Sequence, residues 1–82
     1  MVTEEQLERA RARGALIRAA RMARAWSVAQ LAVNAGVSSD HLYTLERGEH
    51  VAQQRTLHRI AKALGEPARS ALLGERAREA EA

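Results

Sequence analysis

The reading of the chain turns on Ser27-Val28-Ala29-Gln30-Leu31-Ala32-Val33-Asn34-Ala35-Gly36-Val37-Ser38-Ser39-Asp40-His41-Leu42-Tyr43-Thr44-Leu45-Glu46-Arg47-Gly48. Ser27, with Gln30 three residues later, forms an S-x-x-Q capping box that satisfies two orphan N–H groups at a helix start. Trp26 before the cap and Leu31 after it stand at the two positions of a hydrophobic staple. Val28, Leu31, Ala32 and Ala35 recur at i, i+3, i+4 and i+7, so they share one helix face. Gly36 ends that helix, because the position after a helix often takes a left-handed backbone that glycine adopts at little cost. Ser38 then caps a second helix, with Val37 and Leu42 as its staple. Leu42 and Leu45 face inward, and Gly48 closes the helix. Two short helices joined by a tight turn around a glycine make a helix-turn-helix.

Outward from this motif the chain reads as more helix. On the C-terminal side, Glu49–Gln54 is a loop, and Ala52-Gln53-Gln54 offers no strong cap for the next helix. Leu57, Ile60, Ala61 and Leu64 then repeat with helical period, while Arg55, Arg59 and Lys62 lie off that stripe. Gly65 ends this helix. Pro67, at a first helical position, opens a fifth through Ala71, Leu72 and Leu73, and Gly74 is expected to close it. Residues 75–82 form a charged, Ala-rich tail, read either as a fraying helix or as a disordered segment. On the N-terminal side, a helix through Ala15–Ala25 turns Ile17 and Ala20 inward. Arg21 falls on the same buried side, where a charged group needs a partner. Before it, Thr3-Glu4-Glu5-Gln6 is a second capping box with two acids facing the helix dipole. The helix it starts either breaks at Gly14 or runs on, since glycine costs about 1 kcal/mol against alanine in a helix interior. The expected organisation is a helical extension over 1–13, a domain over 14–74 and the charged tail over 75–82.

The chain has 82 residues, enough for one small domain with a thin core. It has no Phe, one Trp and one Tyr, and much of its apolar content is Ala, which suits closely packed helices rather than a ligand cavity. It has no Cys, which excludes disulfides and thiolate metal sites and fits the cytoplasm. No signal peptide and no membrane-spanning run is visible. The net charge is +3, unevenly spread. Residues 1–26 carry six Arg against three Glu, and 53–65 carry three bases and no acid. Residues 27–52, the motif itself, set Arg47 against Asp40, Glu46 and Glu49. A basic chain suits phosphate neutralisation, but the motif alone is slightly acidic.

From Ile17 to about Leu73 the chain resembles the DNA-binding domain of lambdoid phage repressors and Cro, the Xre-type regulators. The resemblance is carried by Ile17-Arg18-x-x-Arg21-x-x-Arg24-x-Trp26-Ser27, by Leu31-Ala32-x-x-Ala35-Gly36-Val37-Ser38, by Leu42-x-x-Leu45-Glu46-Arg47-Gly48 and by Thr56-Leu57-x-Arg59-Ile60-Ala61-Lys62-Ala63-Leu64-Gly65. These four pieces occur in order over roughly two thirds of the chain. The resemblance implies an all-α fold: a compact bundle of about five short helices around the helix-turn-helix, here with an N-terminal helical extension. It implies a sequence-specific regulator of transcription, most simply a small repressor, that docks the second motif helix (about 38–47) in the major groove of double-stranded DNA. A homodimer on a palindromic operator is expected, with half-sites about 34 Å apart. The loop Val51–Arg55 and the fifth helix around Leu72 and Leu73 would form its dimer surface.

By the same resemblance Ser39, Asp40 and Thr44 are the base-contacting positions. Ser and Thr hydroxyls bond either partner of a base pair, and Asp accepts from a cytosine amino group. Asp40 equally suits a first-turn acid that steadies the helix dipole. Phosphate contacts are assigned to the capped helix starts at Ser27 and Ser38, to Arg47 and His50 after the second helix, and to the Tyr43 hydroxyl. Arg21 and Glu46 are implied to form a salt bridge between the first helix and the second motif helix. Arg18 and Arg24 read either as phosphate contacts or as solvated charges, and so do Arg9, Arg11 and Arg13. Val28 stands where the family often has a phosphate-binding Gln, and Ala25 where it usually has Gly. The alternative function is an antitoxin-like module that uses the same fold to hold a protein partner. His41, His50 and His58 lack the spacing of a metal site, so no metal and no cofactor is expected. No nucleophile elbow or phosphate-cradling loop points to an enzyme.

Overall fold

The computed structural model describes residues 2–81, with side chains described as far as residue 74. Five helices run in order: α1 (Glu4–Ala23), α2 (Val28–Ala35), α3 (Ser39–Glu46), α4 (Gln54–Leu64) and α5 (Ala68–Glu81). The fold is all-α, and no strand occurs among the described residues.

Each helix start reflects its local sequence. Thr3 Oγ1 accepts from Gln6 N at 3.1 Å while Thr3 N donates to Gln6 Oε1 at 3.0 Å, the reciprocal pair of a capping box. Ser27 and Gln30 repeat the arrangement at 3.1 and 2.7 Å. Ser38 Oγ accepts from His41 N at 3.1 Å. Gln53, by contrast, caps α4 without a side-chain bond. Two residues before α5, the Glu66 carboxylate accepts from Ser70 N at 2.9 Å and from the Ser70 hydroxyl. This helix begins at Ala68, one residue beyond the expected Pro67, and does not stop at Gly74. A glycine costs a helix only about 1 kcal/mol, and a helix already under way tolerates it.

Three helices end alike. The N–H groups of Ala25 and Trp26 donate to the carbonyls of Met22 and Arg21. Gly36 and Val37 bond Val33 and Ala32, and Gly48 and Glu49 bond Leu45 and Thr44, in the same pattern. This double bond requires a left-handed residue, and Ala25, Gly36 and Gly48 have φ of 55°, 72° and 73°. Ala25 therefore keeps the geometry of a glycine terminator with a side chain that resists it.

The core is built from Ile17, Leu31, Leu42, Leu57, Ile60, Leu64 and Leu72, all fully buried. α4 supplies three of them and packs against α1, α2 and α5. α1 runs through Gly14 unbroken because Gly14 is the point where it meets α3. A Cβ there would lie 2.5 Å from the Glu46 carbonyl oxygen. Leu72 belongs to this core and so cannot serve the expected dimer surface, whereas Leu73 is half-buried.

Candidate nucleic-acid interface

α3 is presented by two supports. From below, Leu42 and Leu45 sink into the core. From the side, Arg21 of α1 holds Glu46 at the end of α3. Arg21 Nε donates to Glu46 Oε2 at 2.8 Å and Nη2 to Oε1 at 3.0 Å, the bidentate geometry that guanidinium and carboxylate favour. A third donor, Nη1, reaches the Trp26 carbonyl at 2.7 Å. The two side chains are only 13% and 6% exposed. The hydrogen bond to Glu46 raises the Arg21 pKa above its ordinary value, against the opposing effect of burial. One side chain thus ties α3, α1 and the entrance of α2 together.

With its inner face fixed, α3 turns Ser39, Asp40, His41 and Tyr43 to solvent. Thr44 is half-buried, and its hydroxyl donates to the His41 carbonyl at 2.8 Å. That proton is used within the helix, which leaves the oxygen as an acceptor and the methyl as an apolar contact. The hydroxyl oxygens of Ser27 and Ser38 accept as caps, which leaves their O–H groups as donors beside the backbone N–H groups of these helix starts. The N–H groups of Val28 and Ala29 in α2, and of Ser39 and Asp40 in α3, have no partner among the described residues. Of these two helices α3 alone carries an acid in its first turn, Asp40. The α2 start is therefore the better anion site of the two. Val28 at that start supplies no side-chain donor.

Arg47 comes just after α3, with its guanidinium 5.6 Å from the centre of the Tyr43 ring and its Nε 3.6 Å from Glu49 Oε1. Tyr43, Arg47 and Glu49 thus form one exposed group, and His50 lies exposed just beyond. Arg24 is placed otherwise. It donates to the carbonyls of Ala20 at 3.2 Å and Glu66 at 3.3 Å and lies 5.9 Å from the Trp26 ring centre. This role, bridging the end of α1 to the turn before α5, had no sequence signal beyond the nearby Trp26. Arg13 is also buried, at 7% exposure, and Arg18 is exposed. Among the described residues no cluster of side chains fits a metal ion, and no helix is long and apolar enough to cross a membrane.

A family model described as a helix-turn-helix domain matches residues 14–72. HTH-type transcriptional regulators of Mycobacterium bovis and Mycobacterium tuberculosis, both named as uncharacterised, are 44% identical to the chain over 54 residues. The match covers 66% of this chain and 21% of each of those proteins, so the chain spans about a fifth of the length of the curated relatives it matches. With the family model spanning most of the five helices, including α2 and α3, the chain belongs to the helix-turn-helix domain family.

Proposed function

We propose that this chain is a sequence-specific, double-stranded-DNA-binding regulator of the Xre type. The observation that carries the reading is the presentation of α3. Its apolar side is locked into the core, Glu46 is clamped to Arg21, and Ser39, Asp40, Tyr43 and Thr44 are left on the outward side. A helix held this way enters a major groove, with base contacts from Ser39, Asp40 and Thr44. The backbone donors at the starts of α2 and α3, with Tyr43, Arg47 and His50, hold phosphates on either side. None of these base-reading side chains makes the bidentate contacts of Gln, Asn or Arg, so part of the selectivity comes from DNA shape.

The simplest mode of action is repression from a palindromic operator, in the cytoplasm, by a homodimer whose contact includes Val51 and Leu73. The family assignment points to a binding role rather than an enzymatic one. A selection of bound duplexes from a random pool at about 150 mM salt tests this, with salt fixed because non-specific binding varies steeply with it. An enriched palindrome with half-sites one helical turn apart is expected, and no enrichment would contradict the reading. A second reading, a protein-binding module of the antitoxin kind, is favoured by the outer side of α2. There Val33 is 79% exposed and lines a shallow groove with Trp26, Ala29, Gln30 and Asn34. Co-purification of one unrelated protein in stoichiometric amount from the native host would favour that reading.

A further inference from the structure

The recognition helix brings little positive charge of its own, since Asp40 lies in its first turn and Glu49 stands against Arg47. We infer that α1 supplies it: Arg11 and Arg18 form a phosphate-binding edge beside α3 that takes the sugar–phosphate backbone flanking the bases α3 reads. This deepens, and rests on, the DNA-binding reading above.

The geometry begins with the seam between α1 and α3. Gly14 abuts the carbonyls of Leu45 and Glu46, and Arg21, two turns on, pairs with Glu46. Helical periodicity places the neighbours of this row on its two sides. On one side, at i−4 and i+3 from Gly14, stand Ala10 and Ile17, both buried. On the other, at i−3 and i+4, stand Arg11 and Arg18, both exposed. The core therefore lies on one flank of the seam and Arg11 and Arg18 on the solvent flank. α3 is divided in the same sense, with Leu42 and Leu45 buried and Tyr43 and Arg47 exposed.

A second observation places Arg11 independently. A Cβ at Gly48 would lie 2.6 Å from Arg11 Cγ and 2.7 Å from its Cα. The stem of Arg11 thus lies directly over Gly48, the residue between Arg47 and Glu49, and its guanidinium leaves from the part of the surface that carries Arg47. Gly48 is glycine for this approach as well as for its left-handed backbone.

The other arginines of α1 and its C-terminus are committed within the fold. Arg9 pairs with Glu5 at 3.3 Å, Arg13 is buried, Arg21 holds Glu46 and Arg24 bonds two carbonyls. Arg11 and Arg18 make no hydrogen bond or ion pair among the described residues. A planar guanidinium on an exposed helix edge is well matched to a phosphodiester oxygen pair. Such contacts carry no base information, so they add affinity without altering sequence preference.

The test is the salt dependence of binding by the full chain and by the double variant Arg11→Gln/Arg18→Gln. The probes are a duplex recovered from the selection and an unrelated duplex, each titrated between about 50 and 200 mM salt. Losing two phosphate contacts on each chain, four in the homodimer, lowers the slope of log affinity against log salt by about 3.6. The affinity lost across that salt range then becomes about a hundredfold smaller. The preferred sequence stays the same. Arg59→Gln, on the exposed side of α4, leaves the slope unchanged, and Arg11→Lys/Arg18→Lys, which keeps the charge, restores most of it. An unchanged slope in the Gln variant overturns the inference, and so does a Lys variant that behaves like the Gln variant, because that pattern marks a role in folding. If wild-type protein binds neither duplex, the DNA-binding reading fails and this inference with it. If the wild type binds and the Gln variant keeps its slope, only this inference fails.

Discussion

Glu46 ends α3 with both carboxylate oxygens on Arg21 and almost no exposure to water. Removing one partner of such a pair strands the other charge, so Glu46→Ala is expected to destabilise the domain by about 3–5 kcal/mol. Urea denaturation reads this as a lowered midpoint, and an unchanged midpoint would mean that the pair does not clasp the two helices. Arg47 and Glu49 are a different case, because both are exposed and their pairing at 3.6 Å is weak. Their balance bears on binding instead. Arg47→Ala should weaken binding to every sequence alike, and Glu49→Gln should strengthen it by releasing Arg47 and removing a charge that repels phosphate. Equal affinities for wild type and Glu49→Gln in filter binding would contradict this. The arginines also mark the limit of sequence reading for single residues. Helical phase alone turns Arg21 inward. It gives Arg24 no assignment, because the Ala20 and Glu66 carbonyls that Arg24 bonds are set by how the α1 end meets the turn before α5.

Among the helices, the three glycine-type ends allow a comparison within one molecule. Gly36 and Gly48 take the left-handed backbone freely, while Ala25 holds φ 55° against its own side chain. Ala25→Gly should therefore stabilise the domain, by about 1 kcal/mol. A domain of this size would show it as a melting point higher by about 4–8 °C. A lowered melting point would mean that the end of α1 is not strained. Gly14→Ala should act in the opposite direction despite the better helix propensity of alanine, because its Cβ would overlap the α3 backbone. Helix starts are legible in the sequence wherever a Ser or Thr stands three residues before a Gln, and the stripe Leu57, Ile60, Ala61, Leu64 announces α4 by itself. Gly14 and Gly74 are not legible. Glycine marks a helix end, a close approach or nothing, and only the neighbouring element separates these cases. Gly14 has α3 against it, while nothing lies within 4 Å of a Cβ at Gly74.

Across the whole molecule, charge and shape divide the labour. The core fixes α3 from one side and leaves its outward residues exposed, while basic side chains on α1 and after α3 border that surface. The slightly acidic composition of residues 27–52 is an objection to nucleic-acid binding only while the chain is taken as a line. The fold withdraws one of its acids, Glu46, into the clasp and brings Arg11 across Gly48. A linear count of charge cannot see either event, because both depend on contacts between distant parts of the chain. Everything in the proposed function depends on the outward face of α3 reading base edges. A random-pool selection run in parallel on wild type and Ser39→Gln, at one salt concentration, examines that face alone. Gln bonds adenine through two hydrogen bonds, where Ser bonds with little discrimination. The same palindrome is expected for both proteins, with one position in each half-site shifted to adenine in the variant. An identical preference at every position, with binding intact, would show that α3 does not read the bases.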